Sequence, residues 1–558
     1  MKAFLNFLFF LQLSFLAKGN FSIKNFDSVK CVFSNENATN IEDLALLCKI
    51  WGVLKYSHPS FNDGSIDADR ELLSILPSVI NSQDINTRNN LLNDWITKFS
   101  GVKASRFKKK DVLKKNNWIF NSKLNDELIE TLTNLISIKR KSKNYYFEIN
   151  QEVGNCIFTN EKDYIDSLFP SQNLRLLSLF RYWNAVNYFY PYKELMDEPW
   201  GSILPEFIPK MIEATDINSY HSVLRLLVTK LNDTHSIIYY ENIKSDIGNF
   251  ISPFQLSYIE KKTLVTGKFT SKSDTIKTLN FGDEILSIQG EDIESFRERV
   301  GFYSSGSNEQ SKQRVISSKL FRSNDSILRI TFNRNGHNFD TIIKLVKYEA
   351  INPIELVQSN RSGIEVIDNN IAYMYLGNLK NDSLHSFMST KQDSLKGIII
   401  DLRCYPKEFI CYSLTKYLSK NNKKFARFTS VDLKNIGSFS WNGFARTEKS
   451  KNSFNGKIVV LVNELTQSQA EFTAMALKSI SNVIIIGSNT AGADGDICSL
   501  NLPGGIITKF SGIGVYYPNG DQTQRTGITP DIFVDPTIKS ITQGKDILLE
   551  KAINLINN

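Results

Sequence analysis

Ser468 is the side chain in this sequence best set to do chemistry, because of what lies on either side of it. An apolar, β-branched run, Lys457-Ile-Val-Val-Leu-Val-Asn463, breaks into Glu464-Leu-Thr466-Gln-Ser468-Gln-Ala470-Glu471, and an apolar pattern of helical period follows. The order is strand, sharp turn, helix, and Ser468 sits at the handover. A hydroxyl there stands exposed at the sheet edge. The helix behind it offers free N–H groups and a partial positive charge to an oxygen that is becoming anionic. That is how a chain presents a nucleophilic serine. A second buried run, Asn482-Val-Ile-Ile-Ile-Gly487, leads into Thr490-Ala-Gly492, and Gly527-Ile-Thr-Pro530-Asp531 comes later.

These segments follow the pattern N-x-x-T-x-S-x-A-E (Asn463 to Glu471), G-x-x-T-x-G (Gly487 to Gly492) and G-I-x-P-D (Gly527 to Asp531). In that order they resemble the core motifs of the C-terminal-processing, or tail-specific, serine peptidases and their tricorn-type relatives. The resemblance implies a crotonase-like ββα catalytic core, hydrolysis of peptide bonds at Ser468, and no metal or organic cofactor.

A serine hydroxyl needs a base. The processing enzymes use a Lys just after T-x-G, but Ala493 stands at that position and no Lys lies between Lys478 and Lys509. The tricorn-type members use a His far upstream in an L-x-D-x-H-[ST] motif, matched by Leu231-Asn-Asp233-Thr234-His235-Ser236. His235 is therefore the expected general base and then general acid. His58, His221, His337 and His385 read as structural. The resemblance implies two orienting groups, Thr234 beside the His and Gln524 where relatives carry Glu, with Asp521 as a substitute carboxylate. Gln524 can hold a tautomer by hydrogen bonding but cannot offset imidazolium charge. The implied oxyanion donors are the backbone N–H groups of Gln469 and Lys407. Lys407 belongs to Asp401-Leu-Arg403-Cys404-Tyr405-Pro406-Lys407-Glu408, where relatives read D-L-R-x-N-x-G-G. Tyr-Pro-Lys-Glu thus replaces a glycine-bearing loop, and positive φ is costly for Lys. Glu471 reads as a helix cap rather than a chemical group, and Asp531 as a residue that fixes its loop.

These residues need elements to hold them. Residues 354–540 read as an α/β core, with strands at Ile371 to Leu376 and Lys396 to Arg403, a helix at Asp382 to Ser394, and the Ser468 unit; alternating strands and helices imply a mixed sheet with helices packed on it. Residues 541–558 read as a final helix. Residues 250–350 read as a β module, in which Leu279-Asn-Phe281-Gly282-Asp283-Glu-Ile-Leu286-Ser-Ile-Gln-Gly290-Glu-Asp-Ile293 resembles a stretch of PDZ domains. Such domains bind peptide termini by adding them to a sheet edge. Residues 20–245 read as helical, with a weak repeat: Leu44 to Trp51 through Pro59, and Leu176 to Trp183 through Pro191, each followed by two further amphipathic helices. The expected class is a multidomain α/β protein.

The chain's 558 residues allow several domains, and its net charge of +8 is spread out. The basic cluster Lys108 to Lys110 with Lys114 and Lys115 reads as a solvated face, so nucleic acid is not an expected partner. Met1-Lys2-Ala3, the apolar run Phe4 to Leu16, and Ala17-Lys18-Gly19 read as a signal peptide over residues 1–19. The rest holds no stable membrane span, so the mature chain is expected to be exported to periplasm or extracellular space. Six cysteines, Cys31, Cys48, Cys156, Cys404, Cys411 and Cys498, form no C-x-x-C pair and suggest no pairing. The function that results is an exported serine-type endopeptidase working through a Ser–His acyl-enzyme on polypeptides. The alternatives are a catalytically weak or inactive peptide-binding member of the same fold, and a hydrolase of esters or other acyl groups.

Overall fold

The computed structural model of the protein describes residues 38–99, 116–121, 123–138, 143–240, 248–268, 278–348, 361–368, 370–433 and 435–558. The expected signal peptide, Cys31 and the Lys108 to Lys115 cluster lie outside these residues.

The central sheet runs in the order Ile364–Ile367, Ile371–Tyr375, Gly397–Asp401, Lys457–Val462, Val483–Gly487, Ile532–Phe533. The first pair is antiparallel and the others parallel. Strands buried on both faces carry continuous β-branched runs, and Ile398 to Ile400 and Ile458 to Val462 are fully buried. The helix Ile547–Asn557 packs on three of these strands. It lies so close that a Cβ on Gly397 would stand 2.4 Å from Ile556 Cγ2. Register aligns Asp401 with Leu461, and Val462 with Gly487. The C-terminal ends of the parallel strands therefore finish together, and there the helix Gln469–Lys478 begins.

Residues 38–240 are mainly helical. Ala38–Ser57, Ala68–Ile80 and Ile85–Thr97 form one set; Gln172–Phe189, Trp200–Glu213 and Ile217–Thr229 form another. Ala38–Ser57 and Gln172–Phe189 are buried over most of their length, Gln172–Phe189 with its polar Arg175, Ser178, Arg181 and Asn184 included. Between them lies a buried charge cluster: Lys55 pairs with Glu161 at 2.7 Å, and Arg181 with Asp69 at 2.6 Å and Glu161 at 2.9 Å. Arg181 also donates to the Asn501 carbonyl at 2.7 Å. The apolar core of this region is continuous with Cys498, Leu500, Leu502, Ile506 and Phe510 of the C-terminal half. One antiparallel sheet crosses the same boundary: Ile497–Leu502, Ile506–Ser511 and Ile237–Tyr240.

Residues 248–348 form a second antiparallel sheet, His337–Lys344, Ile327–Arg334, Glu284–Ile288, Lys262–Lys268, Phe254–Ile259, with helices Ile293–Phe302 and Glu309–Leu320. The Asn335-Gly336 turn has positive φ at both positions, as the tightest hairpins require. Asp283 is pinned by two hydrogen bonds from Arg334, at 2.7 and 2.6 Å. Among the described residues no helix is long and apolar enough to cross a membrane. The five described cysteines are buried and free.

Candidate active site

Ser468 occupies the turn between Lys457–Val462 and Gln469–Lys478 with φ +55° and ψ −119°. A side-chain-bearing residue rarely adopts this, and the strain persists only where surroundings enforce it. Thr466 supplies one restraint: its hydroxyl donates to the Leu402 carbonyl at 2.8 Å, tying the turn to the neighbouring strand end. The Ser468 N–H donates to the Ala493 carbonyl at 3.0 Å and to Glu471 Oε2 at 3.2 Å. Buried Glu471 also accepts from the Thr490 hydroxyl, the Gly492 N–H (2.8 Å) and the Ala493 N–H (3.0 Å). It welds the 490–493 loop to the start of the helix, and burial pushes its carboxyl pKa upward. The Ser468 hydroxyl reaches the Gly495 carbonyl at 3.4 Å.

His235 enters from the other half of the chain, at the start of Ile237–Tyr240. That strand pairs with Ile506–Ser511, Ile237 opposite Lys509, which delivers Ser511 to the imidazole. Ser511 Oγ lies 3.0 Å from His235 Nδ1 and donates to Asp233 Oδ1 at 3.1 Å. Asp233, fully buried, also accepts from the backbone N–H of His235 (3.0 Å) and of Ser511 (2.8 Å), and from Gln524 Nε2 (3.1 Å). The tautomer follows from counting protons. A hydroxyl has one, and Ser511 gives it to the carboxylate, so Ser511 accepts from Nδ1–H. His235 Nε2 then carries the lone pair, the form a general base needs. Burial lowers the pKa of His235; the Asp233 and Asp496 carboxylates oppose that shift, and Arg314 adds to it.

One short loop has a link to each residue. Gly495 takes the Ser468 hydroxyl, and the next residue, Asp496, lies close enough to His235 for the two charges to interact. No hydrogen bond among the described residues joins His235 to Ser468. Residues 370–534 match the model of peptidase family S41. The chain carries a serine-peptidase domain of family S41. Among solved structures, mature CPAF complexed with lactacystin is 14% identical, with a TM-score of 0.56 over 69% of this chain and 99% of its own. Mature CPAF alone is 13% identical, with a TM-score of 0.54 over 69% and 98%. The photosystem II D1 C-terminal processing protease is 16% identical, with a TM-score of 0.41 over 66% and 97%. At these identities the likeness to CPAF is one of fold. No curated protein matches the chain.

The matched S41 segment contains Ser468, Gln469, Lys407 and Gln524 but not His235. Gln469 is the first residue of its helix, and its N–H has no backbone acceptor. Three expected details differ. Among the described residues no hydrogen bond joins Thr234 to the imidazole; its hydroxyl bonds Ser307 and Ser311, both at 3.0 Å, anchoring the His loop to the β module. Gln524 acts on Asp233 rather than on His235. The Lys407 N–H donates to the Leu376 carbonyl at 3.0 Å, because the Cys404 to Glu408 loop folds back on the end of the neighbouring strand, so that donor is already used. Asp521 is exposed, in a turn with Asn519. Asp531 pairs with the Ile485 backbone and fixes the last strand. Of the four remaining histidines, His58 caps Pro59–Asn62, His221 stacks on Tyr240, His385 bonds Tyr417, and His337 stands exposed on the hairpin after Asn335-Gly336. Ser511 gave no sequence signal, since only sheet pairing brings it to His235. Among the described residues no cluster of three His, Cys, Asp or Glu side chains is arranged to hold a metal.

The β module reaches the site through one helix, Glu309–Leu320. Half-buried Arg314 donates to the Glu464 carbonyl at 2.8 Å and to Gln467 Oε1 at 2.6 Å, and Asn308 donates to the Thr490 carbonyl at 2.8 Å.

Proposed function

We propose that the protein is an exported serine endopeptidase that cleaves polypeptides through an acyl-enzyme at Ser468. His235 Nε2 takes the Ser468 proton as the hydroxyl oxygen attacks the peptide carbonyl, and returns it to the leaving amine. Asp233 holds Ser511, and Ser511 holds the imidazole in the basic tautomer and supports the imidazolium that forms. The Gln469 N–H, at the positive end of its helix, stabilises the oxyanion. Thr234 and Gln524 serve as supports for Asp233 and its loop rather than as direct partners of the base. We read the catalytic core as crotonase-like and residues 250–350 as a PDZ-like module that presents extended or C-terminal segments to the site. Residues 1–19 are the signal for export.

The observation that carries this reading is the buried Asp233–Ser511–His235 relay, which leaves Nε2 basic in a chain that also holds a strained serine at a helix start. A second reading, a catalytically weak or inactive peptide-binding protein, is favoured by the missing His235–Ser468 hydrogen bond and by the occupied Lys407 N–H. Turnover of an unfolded protein substrate separates the two. Loss of turnover in both Ser468→Ala and His235→Ala supports the peptidase. Turnover that survives His235→Ala but not Ser468→Ala rejects His235 as the base. An inert wild type that a fluorophosphonate does not label supports the binding protein.

A further inference from the structure

A small antiparallel sheet, in the order Phe439–Arg446, Lys424–Val431, Gly514–Tyr516, lies against the helix Gln469–Lys478. Its inner face packs there through Phe425 and Phe428, whose ring centroids stand 4.9 and 6.0 Å from that of Phe472. Its outer face is built around Arg427. Residues two apart on a strand share a face, and Arg427 lies opposite Phe444 while Thr429 lies opposite Trp441. The register shifts between these pairs, so an extra residue bulges from Phe439–Arg446 and Trp441 and Phe444, three apart, join Arg427 on one face. The guanidinium carbon stands 4.3 Å from the centre of the Trp441 ring and 5.3 Å from that of Phe444. Trp441 also meets Tyr516 edge-on, with centroids 4.8 Å apart. Trp441 is nevertheless 47% exposed and Phe444 37%.

Two sets of polar groups on this face have no use within the chain. Among the described residues Arg427 has no ion pair and its N–H groups have no acceptor, although Nε is buried. Stacked rings hold a guanidinium in place, but they leave its in-plane donors unsatisfied. The second set is the backbone of Phe439–Arg446, an edge strand whose outer side pairs with no other described strand. The surroundings are of one sign. Lys423, Lys424, Arg446 and Lys449 are exposed and in no ion pair among the described residues, and the only acids between residues 420 and 451 are Asp432 and Glu448.

We infer that this edge is a docking site for an acidic, extended polypeptide segment. The segment adds to Phe439–Arg446 as a further strand and sets a Glu or Asp carboxylate on Arg427. A guanidinium offers parallel N–H groups that match the two oxygens of a carboxylate, and the stacked rings fix its plane in advance. The free edge supplies main-chain hydrogen bonds, and the flanking cations select the sign of the guest. A second copy of this edge is a poor guest, because like charges would face each other. A nucleic acid would bring anions but no peptide ladder for the edge to pair with. The inference concerns binding alone and stands whether or not Ser468 cuts.

The test uses Ser468→Ala, so that no probe is cleaved, and a fluorescent unstructured peptide of alternating Glu and Thr. This peptide is expected to bind, and Arg427→Gln in the same background should weaken it about ten-fold or more, with Arg427→Lys recovering only part. Two altered peptides leave the protein untouched: Gln in place of Glu, and N-methyl groups on alternate residues, which block strand pairing. Both should bind at least ten-fold more weakly. Equal affinity of the Glu and Gln peptides, or of the Arg427→Gln protein and its parent, overturns the carboxylate site. Equal affinity of the N-methylated peptide overturns strand addition. A single-stranded oligonucleotide that binds where the Glu peptide does not, or a dimer that Trp441→Ala dissociates, overturns the choice of guest.

Discussion

The basicity of His235 depends on a residue with no charge of its own. Among the described residues Ser511 is the only hydrogen-bond partner of Nδ1, and it links Asp233 to the ring. Ser511→Ala should lower kcat by one to two orders of magnitude with little change in KM, and Ser511→Thr should restore much of it; general-base contributions of about 10²–10⁴ set the scale. The pH profile carries a second mark of this environment. Because burial lowers the His235 pKa, the base stays neutral below the ordinary imidazole range, and the acid limb of kcat/KM should fall below about 6.5. Stability shifts with the same sign: a depressed histidine pKa means the unfolded chain binds the proton more readily, so this contribution is present above the unfolded pKa and is lost as pH falls. Ser468 stores the opposite kind of cost. Ser468→Gly relieves the positive-φ strain and should raise unfolding stability in urea by about 1 kcal/mol, while abolishing turnover.

At the scale of elements, much of the site was legible because its motifs are local. The strand–turn–helix around Ser468 and the Asp233 to His235 motif are short stretches whose residue types suit their backbone positions. Glu471 was legible as a cap, but not as the acceptor that also gathers Thr490, Gly492 and Ala493. Glu471→Gln places an amide among donors and should cost about 2 kcal/mol in urea unfolding, with fluorophosphonate labelling falling in parallel as the turn loosens. What the sequence concealed was long-range. Ser511 meets His235 only because Lys509 pairs with Ile237, and Lys407 lost its N–H to Leu376, a choice made by the path of a loop rather than by residue type. Thr234 misled for the same reason: its partners, Ser307 and Ser311, lie on the β module.

At the scale of the molecule, the helical residues and the C-terminal strands share one apolar core, and the buried Lys55–Asp69–Glu161–Arg181 cluster abuts their boundary. Arg181→Met would leave two buried carboxylates, Asp69 and Glu161, to share Lys55. It should cost about 3–5 kcal/mol and, because the core is continuous, lower one shared thermal transition rather than split it, with turnover lost at the same temperature by calorimetry and assay.

His235 and Ser468 belong to distant parts of one polypeptide, and only the pairing of Ile237–Tyr240 with Ile506–Ser511 brings the base to its partner Ser511. On the mechanism proposed above, the ribosome therefore delivers the proton acceptor long before the nucleophile, and neither half holds a working pair. A chain that is partly made, or partly opened at that seam, has nothing with which to cut. On that mechanism, competence is a property of the finished tertiary structure.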